Sequence, residues 1–288
     1  MDKFCVITNR DKDENLEITT KIAEYMKQNG KICIFPDRSD SEDDAHYYTD
    51  VEAVPDDTEC AIVLGGDGTI IQAAHDLAGK GIPILGINLG TLGFLAEIEK
   101  NRLYDALDSL YTDRLRMENR MMLTGCIRSN GQQVYSGFVL NDVVITRSGF
   151  SRIISFSVYI NDELVDRYRG DGVIISTPTG STGYNLSSGG PVVKPDSEIM
   201  VITPICPHSL TARSLVVSSD DRIKIKINES KKTQEEEAIA TLDGRMAILL
   251  QTEDEIEVYK AEEVTRLVKI NQTSFFDILR TKIGQGGD

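Results

Sequence analysis

The hydrophobic periodicity of the chain changes once, near Met121, and that change dictates two architectures within one polypeptide. Before it, apolar runs alternate with segments of helical spacing. Phe4-Cys5-Val6-Ile7 precedes Leu16, Ile22, Ala23 and Met26, which close at Gly30; Lys31 to Phe35 forms a second run. Cys60 to Leu64 precedes Ile70, Ala73, Ala74 and Leu77, and Ile82 to Ile87 precedes Leu103, Ala106, Leu107 and Leu110. Strand and helix in alternation imply a parallel sheet with helices packed on it. After the change the runs are strands separated by short polar turns: 121–127, 134–140, 143–146, 153–160, 173–177, 199–203, 223–227, 238–242 and 255–259. Asn130-Gly131 and Asn161-Asp162 read as hairpin turns, and 229–237 as an exposed loop. The spacing predicts an α/β domain over 1–115 and a β-rich domain over 116–270. A C-terminal helix and tail over 271–288, carrying Phe275, Ile278, Leu279 and Ile283, is expected to pack back on the first domain.

Charge narrows the function classes. Lys and Arg number 31 against 46 Asp and Glu, a net charge of −15, and this argues against a nucleic-acid binder, which usually shows a basic face. Ten of the carboxylates, with Arg38 as the only base, fall between Asp37 and Glu59, which reads as a solvated, mobile connection. The five cysteines are widely spaced and form no C-x-x-C pair, so neither a disulfide framework nor a zinc ribbon is expected; Cys5, Cys33 and Cys60 lie in apolar runs as buried thiols. No stretch reaches the roughly 18 apolar residues of a membrane span, and no signal-peptide pattern opens the chain. The expectation is a cytoplasmic protein with no membrane partner.

The glycines locate the chemistry. Fourteen of 23 fall in two dense windows, 65–93 and 170–190, at strand ends. Ligands of α/β proteins bind outside the carboxyl ends of strands, and glycine lets a backbone approach them closely. In the first window, the backbone N–H groups of Gly65-Gly66-Asp67-Gly68-Thr69 and the following helix start can hold phosphate oxygens without a basic side chain. Asp67, flanked by glycines, has an uncrowded carboxylate free to face a ligand. The alternative reading is ordinary turn chemistry with Asp67 capping a helix. No G-x-x-x-x-G-K-[ST] sequence exists, and Ile71 stands where a dinucleotide fingerprint needs glycine, so the first domain is Rossmann-like without the standard fingerprint. In the second window, hydroxyls at Ser176, Thr177, Thr179, Ser181, Thr182, Ser187 and Ser188 crowd a turn around Tyr184, offering neutral donors and one ring to a flat polar ligand.

Taken together, Gly65 to Thr69, Asn88 to Leu95, Asn141-Asp142, Gly170-Asp171-Gly172, the 176–187 loop, Cys206 to Leu210 with Arg213, and Asp243-Gly244 resemble the bacterial-type NAD kinases over nearly the whole chain. The glycine-aspartate motif is shared with lipid kinases and resembles one in phosphofructokinases; the 170–190 loop and Asn141-Asp142 single out this family. The resemblance implies transfer of the γ-phosphoryl of ATP to the 2′-hydroxyl of the adenosine ribose of NAD, with Asp67 as general base. Mg²⁺ would arrive with ATP rather than in a protein site. It assigns Gly65, Gly66, Gly68 and Thr69 to the ATP phosphates. For NAD it names Asp67, Gly68, Phe94, Asn141, Asp142, Arg152, Arg169, Asp171, Thr182, Gly183, Tyr184, Asn185, Leu186 and Ser187. His208 and Asp243 are further candidates, although a histidine beside Pro207 at a strand end is more often structural. A homodimer or homotetramer is implied.

Three residues depart from the family pattern: Asp142 where glutamate is common, Gln72 where several relatives carry a base, and Gly183 in place of alanine. Two other readings were weighed. A lipid or sugar kinase would need an acyl groove or a basic sugar-phosphate pocket, for which there is no signal. A nucleotide sensor without chemistry would not need Asp67.

Overall fold

The computed structural model describes residues 1–36, 49–90, 93–96, 98–112, 114–149, 153–229, 238–271 and 273–283. The chain divides into two compact units, one of Met1–Arg120 with Val264–Asp288, the other of Met121–Glu263.

In the first unit the alternating pattern builds β1 (Lys3–Thr8), α1 (Glu17–Gln28), β2 (Ile32–Ile34), β3 (Cys60–Gly65), α2 (Asp67–Asp76), β4 (Ile84–Asn88), β5 (Ile98–Glu99) and α3 (Leu103–Tyr111). The strands pair in the order β5-β4-β3-β1-β2, all parallel. β3 is buried along its whole length, as a strand covered on both faces must be, which explains the continuous apolar run Cys60 to Leu64. Ile18, Ile22 and Met26 of α1 and Leu103, Ala106, Leu107 and Leu110 of α3 join one core with Phe4, Val6, Ile62, Leu64, Leu85 and Ile87. The chain passes from β1 to β2 on one side and then to β3 on the other. The order therefore reverses between β1 and β3, and their carboxyl ends flank the switch point where α/β sheets bind ligands.

The second unit is antiparallel. It contains β6 (Arg116–Ser129, from Met121 onward), β7 (Gln132–Val139), β8 (Asp142–Arg147), β9 (Ile154–Ile160), β10 (Glu163–Gly170) and β11 (Gly172–Ser176). After the short helix α4 (Tyr184–Ser187) follow β12 (Ile199–Ile205), β13 (Leu215–Ser218), β14 (Ile223–Ile227), β15 (Ala238–Leu242), β16 (Arg245–Leu250) and β17 (Glu255–Lys269, up to Glu263). One six-stranded sheet has the order β13-β12-β11-β8-β15-β16; β10, β9, β14 and β17 form a second run. Period-two alternation fills the core. Val143, Ile145, Val173, Ile175, Met200 and Ile202 from the first sheet meet Phe156, Val158, Ile223, Ile225, Ile256 and Val258 from the second, while Val144, Ile174 and Ile205 turn to the opposite face. Both hairpin turns form where expected, with Asn130, Asn161 and Asp162 at positive φ. The end of β17 returns to the first unit, where Leu267 pairs in parallel with Ile84, and α5 (Phe275–Ile283) follows.

The acidic segment differs from its expectation in part. Residues 37–48 lie outside the described residues, but 49–59 is an anchored loop: Val54 is buried, Lys80 Nζ donates to its carbonyl, and Glu59 accepts the Lys3 amide. Cys5 and Cys60 are buried and Cys33 partly so; burial pushes the Cys5 and Cys33 thiols up to about 12.

Candidate active site

The first unit presents its chemistry where β3 turns into α2. Gly66 is the N-cap, and Thr69, three residues on, accepts the Gly66 amide (3.4 Å) and the Asn9 side-chain amide (3.3 Å). Thr69 is buried, and a Cβ on Gly65 would stand 2.2 Å from its hydroxyl oxygen. Thr69 therefore holds the turn together from inside, while Gly68 faces open space.

Asp67 differs from the uncrowded carboxylate expected. Its Oδ2 accepts the Phe94 amide (2.7 Å) and its Oδ1 accepts those of Leu95 and Ala96 (3.1 Å each). The segment closes so tightly that a Cβ on Gly93 would stand 1.8 Å from Oδ1. The flanking glycines did not leave the carboxylate free; the absence of a Cβ on Gly93 lets the 93–96 segment close over it. An ionised carboxylate offers about four lone-pair positions. Two amides occupy Oδ1 and one occupies Oδ2, so Oδ2 retains an acceptor position.

Lys12, which the sequence reading missed, lies over the same turn. A Cβ on Gly66 would stand 3.0 Å from its Nζ and one on Gly90 3.7 Å. Lys12 follows β1, and the Asn9 amide donates to the Leu64 carbonyl at the end of β3, which brings the two strand ends together. Among the described residues, its ammonium forms no ion pair. Gln72, which stands where several relatives carry a base, is buried in α2, and the cation over the turn is the Lys12 ammonium. Phe94 is half-buried, its ring 6.1 Å from that of Phe275 in α5, with Lys282 Nζ 5.2 Å from its centroid.

The second unit assembles its residues around the start of β8. Thr177 donates from its amide to the Asn141 carbonyl (2.8 Å) and from its hydroxyl to the Leu140 carbonyl (2.6 Å). A Cβ on Gly180 would stand 2.2 Å from the Asn141 carbonyl oxygen, so the glycine loop rests directly on this backbone. A Cβ on Gly183 would stand 3.6 Å from Asn141 Nδ2 and 4.0 Å from Asp142 Oδ2. Asn141, Asp142 and the Gly183-Tyr184 turn thus share one locality. Burial, and then the neighbouring charge of Asp243, raises the Asp142 carboxyl from its ordinary 3.8 to about 7.

Much of the hydroxyl-rich loop faces inward. Ser176, Thr177, Ser181 and Asn185 are fully buried. The Ser181 hydroxyl bonds the Pro178 carbonyl and the Val193 amide; Asn185 donates to the Ser181 and Pro191 carbonyls and accepts the Thr203 hydroxyl at 2.7 Å. These side chains shape the loop, leaving Tyr184 and Ser187 exposed and Thr182, Gly183 and Leu186 partly so. A separate group forms where β10 meets β11. Asp171 is paired with Arg147 (3.0 Å), and the His208 amide donates to the carbonyl of exposed Arg169. Arg152 lies outside the described residues.

A glycine turn with a lysine over it suits a polyphosphate, and an exposed tyrosine beside an Asn-Asp pair suits a flat, hydroxyl-bearing group. Those two capacities define a nucleotide kinase as a class. Comparison with known sequences makes the class specific: the model of the ATP-NAD kinase N-terminal domain matches residues 4–115, and that of the C-terminal domain matches 140–270. An NAD kinase of Lachnoclostridium phytofermentans is 58% identical over 286 residues, covering 99% of each chain, and one of Lachnospira eligens is 40% identical over 98% of this chain and 100% of its own. Two solved structures share the fold. Yeast NADH kinase complexed with NADH has a TM-score of 0.80 at 22% identity, over 100% of this chain and 89% of the other. An NAD kinase from Archaeoglobus fulgidus in complex with ATP has 0.76 at 23%, over 99% and 100%. The chain belongs to the ATP-NAD kinase family, enzymes that phosphorylate NAD with ATP.

Protonation of Asp142 persists in the folded chain up to about pH 7, whereas the carboxyl of an unfolded chain titrates near 3.8. The folded state binds the extra proton within that window, so this group's contribution to stability declines as pH rises through it. Asp142→Asn, neutral throughout, is expected to flatten the fall in unfolding free energy between pH 4.5 and 7.5, as measured by urea denaturation.

Proposed function

We propose that Asp67 is the general base of an ATP:NAD 2′-phosphotransferase. The observation that carries this is the three-amide hold on its carboxylate, which orients the group and leaves Oδ2 with a vacant lone pair. The ribose 2′-hydroxyl gives its proton to Oδ2 as its oxygen bonds to the γ-phosphorus. The bond from that phosphorus to the β–γ bridging oxygen breaks, and ADP leaves. Phosphoryl transfer of this kind depends mainly on positioning and charge neutralisation, so a carboxylate suffices as the base.

On this reading the Gly65–Gly68 turn receives the donor's phosphates, and Lys12 supplies a positive charge beside them. Asn141, Asp142 and the exposed edge of the Thr182–Ser187 loop receive the acceptor nucleotide, with Tyr184 available to stack. Mg²⁺ is read as part of the MgATP substrate, held through phosphate oxygens. When bound, it supplies charge neutralisation at those oxygens. Among the described residues no helix is long and apolar enough to cross a membrane. A cytoplasmic homodimer or homotetramer rests on the family resemblance.

Two variants test these roles with a coupled dehydrogenase assay for NADP. Asp67→Asn keeps an oxygen for the loop amides on one side, sets an NH₂ against the other side, and cannot take the proton; kcat is expected to fall about 10²–10⁴-fold with a modest effect on NAD affinity. An unchanged kcat removes Asp67 from the role. Lys12→Ala is expected to raise KM for ATP about 10-fold, the worth of a modest charge-assisted contact, and to leave KM for NAD in place. The opposite pattern would remove Lys12 from the donor's phosphates.

A further inference from the structure

We propose that Asp243 is a positioning residue for the acceptor nucleotide, acting through the backbone that carries Asn141 and Asp142. Its Oδ2 accepts the Leu140 amide (2.7 Å), and its Oδ1 accepts the amides of Asn141 (2.7 Å) and Asp142 (3.0 Å). Its own amide donates back to the Asp142 carbonyl at 2.9 Å. Asp243 reaches this position from the tight turn between β15 and β16, where it and Gly244 adopt φ of 51° and 70°, the left-handed pair of a type I′ hairpin. The turn is thus anchored by strand pairing on both sides and holds its carboxylate rigidly against the start of β8.

The opposite side of the same backbone is held as firmly. Thr177 binds the Leu140 and Asn141 carbonyls, and Gly180 packs against the latter. With amides held by Asp243 and carbonyls by Thr177, the polar groups this segment can still turn toward a ligand are the Asn141 and Asp142 side chains. Both lie on the Gly183 side. Placing Asp243 near Asp142 has an electrostatic cost, which adds to the larger effect of burial in raising the Asp142 carboxyl. That cost is tolerated because three amide donors compensate the Asp243 charge. Asp243 does not touch substrate in this account; it fixes the direction of the two side chains that do.

The inference rests on the reading that Asn141 and Asp142 hold the acceptor, so the experiment separates the two. Asp243→Asn replaces one acceptor oxygen with an NH₂ group that confronts an amide. KM for NAD is expected to rise 10-fold or more, while KM for ATP and kcat per folded enzyme stay within about threefold. A residue with only a structural role would lower the folded fraction and hence apparent kcat, leaving KM for NAD unchanged. That result overturns the proposal. If Asp243→Asn does not fold, Asp243→Ser, which keeps one acceptor oxygen, is expected to show the same selective rise, and an unchanged KM for NAD overturns the proposal equally. Asn141→Ala, measured in parallel, is expected to raise KM for NAD by itself. If it does not, the acceptor reading fails and the inference with it; if it does while Asp243→Asn is silent, only the inference fails. In the Asn141→Ala background, Asp243→Asn is expected to cost less than in the parent, because its effect passes in part through Asn141; full additivity contradicts this.

Discussion

An aspartate carboxylate gathering three consecutive backbone amides is the interaction on which the rest of this structure depends. Asp67 does this with Phe94, Leu95 and Ala96. The bond set ties the start of α2 to the segment after β4, so the glycine turn, the Asp67 carboxylate and Phe94 form one rigid object. It also explains a sequence requirement: Gly93 has no room for a Cβ beside Asp67. Asp243 repeats the device with Leu140, Asn141 and Asp142 in the second unit. Each unit thereby holds its chemistry-bearing loop with a charge-assisted network of the kind that is stronger than neutral hydrogen bonds.

The same device bears on how a chain of net charge −15 handles two anionic nucleotides. Carboxylates that face backbone amides are compensated locally, and charges farther than a Debye length of about 8–10 Å are screened. On the proposed reading, an incoming phosphate meets the first turn of α2, with its partial positive charge, and the Lys12 ammonium, which lies over that turn.

The fold was legible wherever periodicity was strong. The buried run Cys60 to Leu64, the alternation in Ile223-Lys-Ile-Lys-Ile227 and the Asn130-Gly131 turn each carry their structure in local sequence. β10 was missed because Glu163–Gly170 is polar and mostly exposed; it is a strand through its pairing with β9. β13 and β16 were missed although Leu215-Val-Val217 and Met246 to Leu250 are apolar; each is an edge strand with one partner. The site was legible in outline, since glycine density marks both loops. Direction within the loops was not. Ser181 and Asn185 look like ligand donors until their buried partners are known, and Lys12 is 54 residues from Gly66, brought to it by the β1–β3 pairing and the Asn9 bonds beyond it.

The central claim, that Asp67 owes its orientation to the amides of Phe94, Leu95 and Ala96, can be read directly by native-state hydrogen exchange. Those three amides are expected to exchange slowly in the parent enzyme. In Asp67→Ala they are expected to lose that protection, while Leu140, Asn141 and Asp142 keep theirs. Equal protection of residues 94–96 in parent and variant would contradict the account, because the amides would then be held by something other than the Asp67 carboxylate.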